Sequence, residues 1–344
     1  MSSHAASNNA QGDIESVRKG EFNMPMVDTI MGQIDVNDLG FTLTHEHVRQ
    51  SSAGVPYTFP ELFDHDGDVA RSVAALNQAA SEGVGTIVDV TTMDLGRDMR
   101  LLQEVARQVN LNIIICTGIW RDIPRQIAAG SAPDELAGAF IREIEVGIEG
   151  TGVKAGVIKV ATDVEHITQE GLTWANELVL RAAARACNHT GVPIATHTAA
   201  LAKAGDYQVA IFQDEGVDMG KVCIGHSNDT DDMDYLIGIL EQGCFLGMDR
   251  YPGGRVSGLK WDERTQVVKQ LVDLGYANHT TLSHDWGGPR PNPPDVLEMR
   301  KIYNPDDFCF IIRRVLPRLR ELGVSEHAIQ DMTVNGPRRL FGGE

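Results

Sequence analysis

The sequence predicts an α/β protein built as a (β/α)8 barrel, and three observations carry that expectation. Eight short apolar runs, rich in β-branched residues, recur between residues 41 and 285. Longer amphipathic stretches separate them, several closing on a glycine. No break in composition interrupts the alternation. Runs that stay apolar, instead of alternating strictly with polar residues, suit strands covered on both faces, as in a parallel sheet.

In chain order the runs are FTLTHEH (41–47), GTIVDVTT (85–92), NIIICTG (112–118), AGVIKVATD (155–163), VPIATHT (192–198), KVCIGHS (221–227), CFLGMD (244–249) and TTLSHD (280–285). Helical candidates lie between them. In Asp68–Glu82 the apolar positions Val69, Val73, Leu76 and Ala80 recur at helical spacing. Asp134–Ile148 opens on an aspartate cap after a proline, and Thr173–Asn188, Asp231–Gln242 and Trp261–Leu274 follow. Gly83, Gly191, Gly243 and Gly275 stand where a helix gives way to the left-handed residue after it. A last amphipathic segment, Ser325–Phe341, is expected to pack outside the barrel. Eight such units over roughly 250 residues match the size of a TIM barrel. A doubly wound sheet is the structural alternative, although it seldom needs eight consecutive units.

The chain has 344 residues, 42% of them hydrophobic, which is ample for a sizeable core. Residues 1–23 are small and polar, without the apolar segment of a secretory signal, and read as a flexible arm. Residues 24–344 read as a single barrel domain. No window approaches the roughly 18 apolar residues that span a bilayer. A formal net charge of -18 disfavours nucleic acid and anionic membrane as partners, since both reward positive charge. The five cysteines sit singly, make no CxxC pair and are odd in number, so neither a disulfide framework nor a zinc knuckle is suggested. They are expected to be reduced core residues of a cytoplasmic protein.

Active sites of such barrels lie where the strands end on the C-terminal face. Of eleven histidines, His45, His47, His197, His226 and His284 fall at strand ends, and His166 follows the fourth strand closely. Residues i and i+2 of a strand share a face, so His45 and His47 point together into the barrel mouth as a natural chelate. Taken alone, the pair fits equally well two hydrogen-bonded polar residues near a strand end. His197 and His226, each on its own strand end, favour a metal. Asp285 adds a hard oxygen beside the imidazoles, a mixture suited to Zn2+, Mn2+ or Co2+.

Lys159 lies inside an apolar strand, where a free ammonium is costly to desolvate. One reading has it snorkelling out of the barrel. In the other, burial lowers its pKa and leaves a neutral amine that adds CO2. The resulting carbamate carries two oxygens and can bridge two ions. Four histidines, one aspartate and one such bridge suit a binuclear centre at the C-terminal ends of the strands: His45, His47 and Asp285 on one ion, His197 and His226 on the other.

These stretches carry a resemblance. GFTLTHEHV, AGVIKVATD, PIATHT, VCIGHSNDTDD and LSHDW, in this order and spacing across residues 28–342, resemble the phosphotriesterases and phosphotriesterase-like lactonases of the amidohydrolase superfamily. The resemblance implies two divalent ions, zinc before cobalt, manganese or iron, a carboxylated Lys159 and a hydroxide shared by both ions. It implies Asp285 as a general base, and Asp229 as the next group to receive the proton on its way to a histidine. Arg250 stands at that histidine's position, and an arginine is effectively always protonated and cannot relay. This departure argues against a finely tuned phosphotriesterase. Members are commonly homodimers, which is the assembly expected here.

Substrate clues point both ways. GMDRYPGG resembles the lactonase branch, whose arginine and tyrosine line the substrate channel; here these are Arg250 and Tyr251. The stretch from Asp249 to Asp262 is short, as in lactonases. Trp120, however, stands where phosphotriesterases have tryptophan and lactonases usually tyrosine, and Trp286 adjoins Asp285. Each tryptophan is either rim packing or a flat wall for a leaving group. The loop GGPRPNPPDV is brief for a lid over an acyl chain, so the pocket is expected to be open or roofed by a partner subunit. The leading expectation is a metal-dependent hydrolase of small-molecule lactones or activated esters, with side activity on phosphotriesters. The alternatives are a dedicated organophosphate triesterase, an amide or cyclic-imide hydrolase, and a non-catalytic binder on a degenerate barrel.

Overall fold

The computed structural model describes residues 25–253, 256–287 and 294–343. The arm and most of the GGPRPNPPDV loop lie outside them. All eight apolar runs form strands: β1 (Phe41–Glu46), β2 (Val84–Asp89), β3 (Asn112–Gly118), β4 (Val157–Thr162), β5 (Ile194–Thr198), β6 (Val222–Ile224), β7 (Phe245–Met248) and β8 (Thr280–Leu282). They pair in parallel, each with its neighbour in sequence. β8 returns to β1 through side chains: Thr44 Oγ1 lies 3.0 Å from Thr281 Oγ1, and His45 N donates to Ser283 Oγ at 3.0 Å. A bridge between His47 and Gly287 continues that seam. The sheet therefore closes as a TIM barrel, and the doubly wound alternative falls away.

Alternation along each strand divides its side chains between two cores. Ile87, Ile113, Ile158, Val160 and Ile194 face outward, against the helices. Val88, Ile114, Cys116, Val157, Ala195, Cys223 and Phe245 fill the barrel interior. The phase matters for the site: Lys159 lies two residues beyond Val157, and His197 two beyond Ala195, so both continue the inward row. Snorkelling is excluded by the same register, and Lys159 is 1% exposed.

The expected helices form at His65–Ser81, Pro133–Glu145, Trp174–Thr190, Met233–Leu240 and Trp261–Asp273. Asp64, Thr173 and Asp232 cap three of them by accepting N–H bonds from Gly67, Asn176 and Tyr235. Asp134 is not the cap of the second; Pro133 opens that helix and Asp134 sits in its first turn, where a carboxylate suits the helix dipole. Gly191 ends its helix at φ 73°, the left-handed conformation glycine adopts without steric cost. Two further helices, Met99–Ala106 and Ala204–Asp214, complete units for which the sequence pattern showed only the strands. The Ser325–Phe341 segment does more than lie outside: Leu340 and Phe341 join the interior cluster with Val36 and Leu39, sealing the N-terminal end of the barrel. All five cysteines are buried and free. Among the described residues, no helix is long and apolar enough to cross a membrane.

Candidate metal centre

At the C-terminal ends of the strands, His45, His47, Lys159, His197, His226 and Asp285 line one cavity of about 130 Å3. His45, His226 and Asp285 each offer a ligand atom, all within 4.8 Å of one another. His47 Nε2 lies 3.2 Å from Asp285 Oδ1, and His45 Nε2 3.7 Å from the same oxygen. Lys159 Nζ is 2.9 Å from His45 Nε2, and His197 Nδ1 is 2.8 Å from His226 Nε2. Six side chains from five strand ends thus converge.

The outward nitrogen of every one of the four histidines is engaged. His45 Nδ1 lies 2.8 Å from Asp249 Oδ2, and His226 Nδ1 2.8 Å from Asp249 Oδ1. His47 Nδ1 meets Thr91 Oγ1 at 2.8 Å, and His197 Nε2 meets Asp163 Oδ2 at 3.1 Å. A ring nitrogen that donates outward fixes the tautomer and turns the other nitrogen's lone pair into the cavity. Burial strengthens this by disfavouring imidazolium. It holds His45 and His226 well below the usual range and lowers His197 to about 4. The inner nitrogens of His197 and His226 then face each other as lone pairs, an arrangement that a cation between them relieves. This donor set, four imidazoles and a carboxylate, fits divalent transition ions.

The anionic side is equally specific. Burial opposes ionisation of Asp285, but the His47 contact and the Arg250 charge outweigh it and hold the carboxyl well below its ordinary value. Burial and the neighbouring Asp285 push Asp249 upward, so its carboxylate needs positive charge in the cavity. The hydrogen bond from His197, with the Arg121 charge, holds Asp163 low. Burial lowers the Lys159 amine from 10.5 to about 8.

Two candidate ligands sit in left-handed backbone, His226 at φ 59° and Asp285 at φ 51°. Such conformations cost on the order of 1–3 kcal/mol at a non-glycine residue and persist where surrounding structure fixes them. Asp249 fixes the first by accepting from His226 N at 2.7 Å. Gly225 allows that approach; a Cβ there would lie 2.1 Å from Thr196 O and 2.9 Å from Asp249 Oδ2.

The expected substrate-facing residues divide between two cavities. Trp120 lines the ligand cavity, its ring edge-on to His197 at 5.6 Å. Tyr251, Trp286 and Asp229 line a neighbouring cavity of about 170 Å3. Arg250 and Asp285 border both. Arg250 donates from Nε to Asp285 Oδ2 at 3.1 Å and from Nη1 to Asp229 Oδ2 at 2.5 Å. Arg264 holds the other Asp229 oxygen at 2.7 Å. Asp229 therefore meets Asp285 only through an arginine. Trp286 is 7% exposed and stacks on Tyr303 at 6.3 Å.

Of the other strand-end histidines, neither joins the cluster. His284 turns to Glu46, and His166 Nδ1 accepts from Asp163 N at 3.0 Å. Asp249, Asp163 and Thr91, which hold the outer histidine nitrogens, were passed over by sequence reasoning. Asp249 and Asp163 each end a strand, the same signal that marked the histidines.

The sequence profile of the phosphotriesterase family matches residues 25–341. The chain belongs to the phosphotriesterase family. A phosphotriesterase homology protein from Mycobacterium tuberculosis is 38% identical, over 92% of this chain and 98% of its own. An aryldialkylphosphatase from Saccharolobus solfataricus is 37% identical, over 90% of this chain and 96% of its own. The solved structure of the phosphotriesterase from Mycobacterium tuberculosis superposes with a TM-score of 0.84 at 37% identity, covering 93% of this chain and all of that one. This phosphotriesterase-family protein is accordingly a hydrolase, and its His/Asp cluster is of the kind that holds metal.

Proposed function

We propose that the protein is a binuclear metal hydrolase of ester bonds, acting on lactones or activated carboxylic esters, with side activity on phosphotriesters. The observation that carries the metal centre is the ring of four histidines, each held from outside, closing on Asp285. His45, His47 and Asp285 would hold one ion, His197 and His226 the other. The Lys159 amine, brought near neutrality by burial, adds to the carbon of CO2 and releases one proton. The carbamate would add an anionic ligand to the histidine cluster, beside His45. Zinc suits the donor set best. Bound there, two divalent ions supply Lewis acidity and a water acidic enough to ionise near neutral pH.

The chain's own groups do the rest. Asp285, low in pKa and facing the cavity, is ionised and able to take a proton from the attacking water. Arg250 holds its second oxygen and orients it. Because Arg250 also occupies Asp229, the proton has no neutral side chain to pass to along that route, which favours leaving groups that need no relayed proton. Tyr251 and Trp286 wall the adjoining cavity and suit an apolar substituent of the substrate.

A dedicated organophosphate triesterase is the second reading. Trp120 beside His197 favours it, as does the likeness to an aryldialkylphosphatase. Measuring kcat/KM for paraoxon, an aryl acetate and a set of γ- and δ-lactones separates the two. The ester reading fails if the triester is turned over faster by orders of magnitude.

A further inference from the structure

His284 stands beside Asp285, yet its ring lies on the opposite side of the strand from the ligand cavity. Glu46, flanked by His45 and His47, points away from them in the same manner. Both side chains are buried: Glu46 is 0% exposed and His284 2%. We propose that Glu46, clasped by His284, is a positioning residue that sets Asp285 against His45 and His47 from behind the strands. The proposal rests on the metal-centre reading above and adds what fixes its geometry.

The regular ladder of β8 ends at Leu282. Asp285 then turns left-handed, which takes the peptide groups beside it out of parallel register. Buried N–H groups released in this way must find acceptors. Glu46 supplies them. Its Oε1 accepts from His284 N at 2.9 Å and from His284 Nδ1 at 2.6 Å, and its Oε2 accepts from Trp286 N at 3.0 Å. The Ser283 hydroxyl lies 2.7 Å from Oε1. One carboxylate thus gathers donors from residues 283, 284 and 286, on both sides of the candidate ligand.

The backbone repeats the pattern, with Asp285 N donating to His45 O at 3.1 Å and His47 N to Trp286 O at 2.8 Å. The far side of the clasp is fixed as well, since His284 Nε2 accepts from Ile311 N at 3.1 Å. His284 therefore carries its proton on Nδ1 and can only donate to Glu46. A carboxylate is acceptor-only and suits every one of these donors. The NH2 group of a glutamine would meet at least one of them donor to donor.

The test uses the full chain loaded with zinc and bicarbonate. Glu46→Gln is expected to weaken zinc retention in a chelator titration by about 10- to 100-fold, the range for losing a group that orients metal ligands. Its kcat should fall while KM changes little. Glu143→Gln is the control: it breaks the Arg97–Glu143 pair, 2.8 Å apart and built from other residues. That variant should lower the melting temperature and keep wild-type zinc retention. Ser283→Ala removes a single hydroxyl and should shift retention in the same direction by a smaller factor, and it carries the test if Glu46→Gln does not fold. Wild-type retention in the folded Glu46→Gln or Ser283→Ala protein overturns the proposal. Equal loss in Glu143→Gln overturns it too, since generic destabilisation would then suffice. A wild-type protein that holds no zinc is a different result and overturns the metal-centre reading itself.

Discussion

The Nζ of Lys159 lies 2.9 Å from Nε2 of His45, in a cavity that His47, His197, His226 and Asp285 also line. A lysine in this position has no structural task that an apolar residue would not perform at lower desolvation cost. Replacing it with methionine is expected to leave a folded barrel that binds less than its full complement of metal. Hydrolysis should fall by more than the roughly 100-fold that losing a supporting residue costs. Elemental analysis and native mass spectrometry check this; the wild-type protein should carry the extra mass of one CO2 and the variant should not.

The lowered amine also sets a pH dependence. Lys159 falls from 10.5 to about 8 through burial, so its folded-state pKa lies below its unfolded one. Between those values the unfolded chain binds more protons, and stability of the metal-free protein should rise with pH across that window. Below about 8 both states are protonated and this contribution is flat. Urea unfolding of metal-free wild type and Lys159→Met across the window isolates it, since the variant should lack that slope. At a fixed concentration of dissolved CO2, reconstitution should quicken as pH rises towards about 8 and level off above it, because only the neutral amine adds CO2.

Removing metal should abolish activity and lower the melting temperature. A ligand present at about 100 times its Kd stabilises the folded state by about 2.7 kcal/mol. Thermal melts before and after chelation, then after adding Zn2+ and bicarbonate, measure the effect. A melting curve indifferent to chelation contradicts the candidate centre.

Arg250 separates Asp285 from Asp229. Arg250→His would put a group that can accept and pass a proton in its place. The ratio of kcat/KM for paraoxon to that for a lactone should rise about tenfold or more, within the span of general acid–base effects. A parallel fall for both substrates would mean that Arg250 serves binding alone.

Arg264 is 0% exposed, with its guanidinium on Asp229 Oδ1 at 2.7 Å and Asn228 O at 2.5 Å. Arg264→Met leaves a buried carboxylate and a buried carbonyl short of a partner. Denaturant unfolding should show a loss of about 3–5 kcal/mol. Zinc content should hold, because Arg264 touches no candidate ligand.

Much of this protein was legible in its residues. β-Branched runs of strand length, spaced by amphipathic stretches, specify a parallel barrel because only strands covered on both faces are apolar throughout. Inward histidines and Lys159 stood out for the same reason, as polar groups where the pattern demands apolar ones. Two-residue periodicity placed His45 with His47, whereas the inward direction of Lys159 came from the register of the folded strand. Tertiary structure decided the rest. His284 resembled the ligands in sequence, but its ring lies on the far face of its strand, held by Glu46 and Ile311. Asp249, Asp163 and Thr91 were hidden because what marks them is an outward imidazole nitrogen on another strand, a relationship with no fixed sequence distance. The split of Trp120 from Tyr251 and Trp286 between two cavities likewise follows from how loops from different strands meet. Sequence periodicity fixes which face a side chain takes along its own strand; which groups then meet across strands depends on register, closure and backbone turns that arise only when the barrel folds.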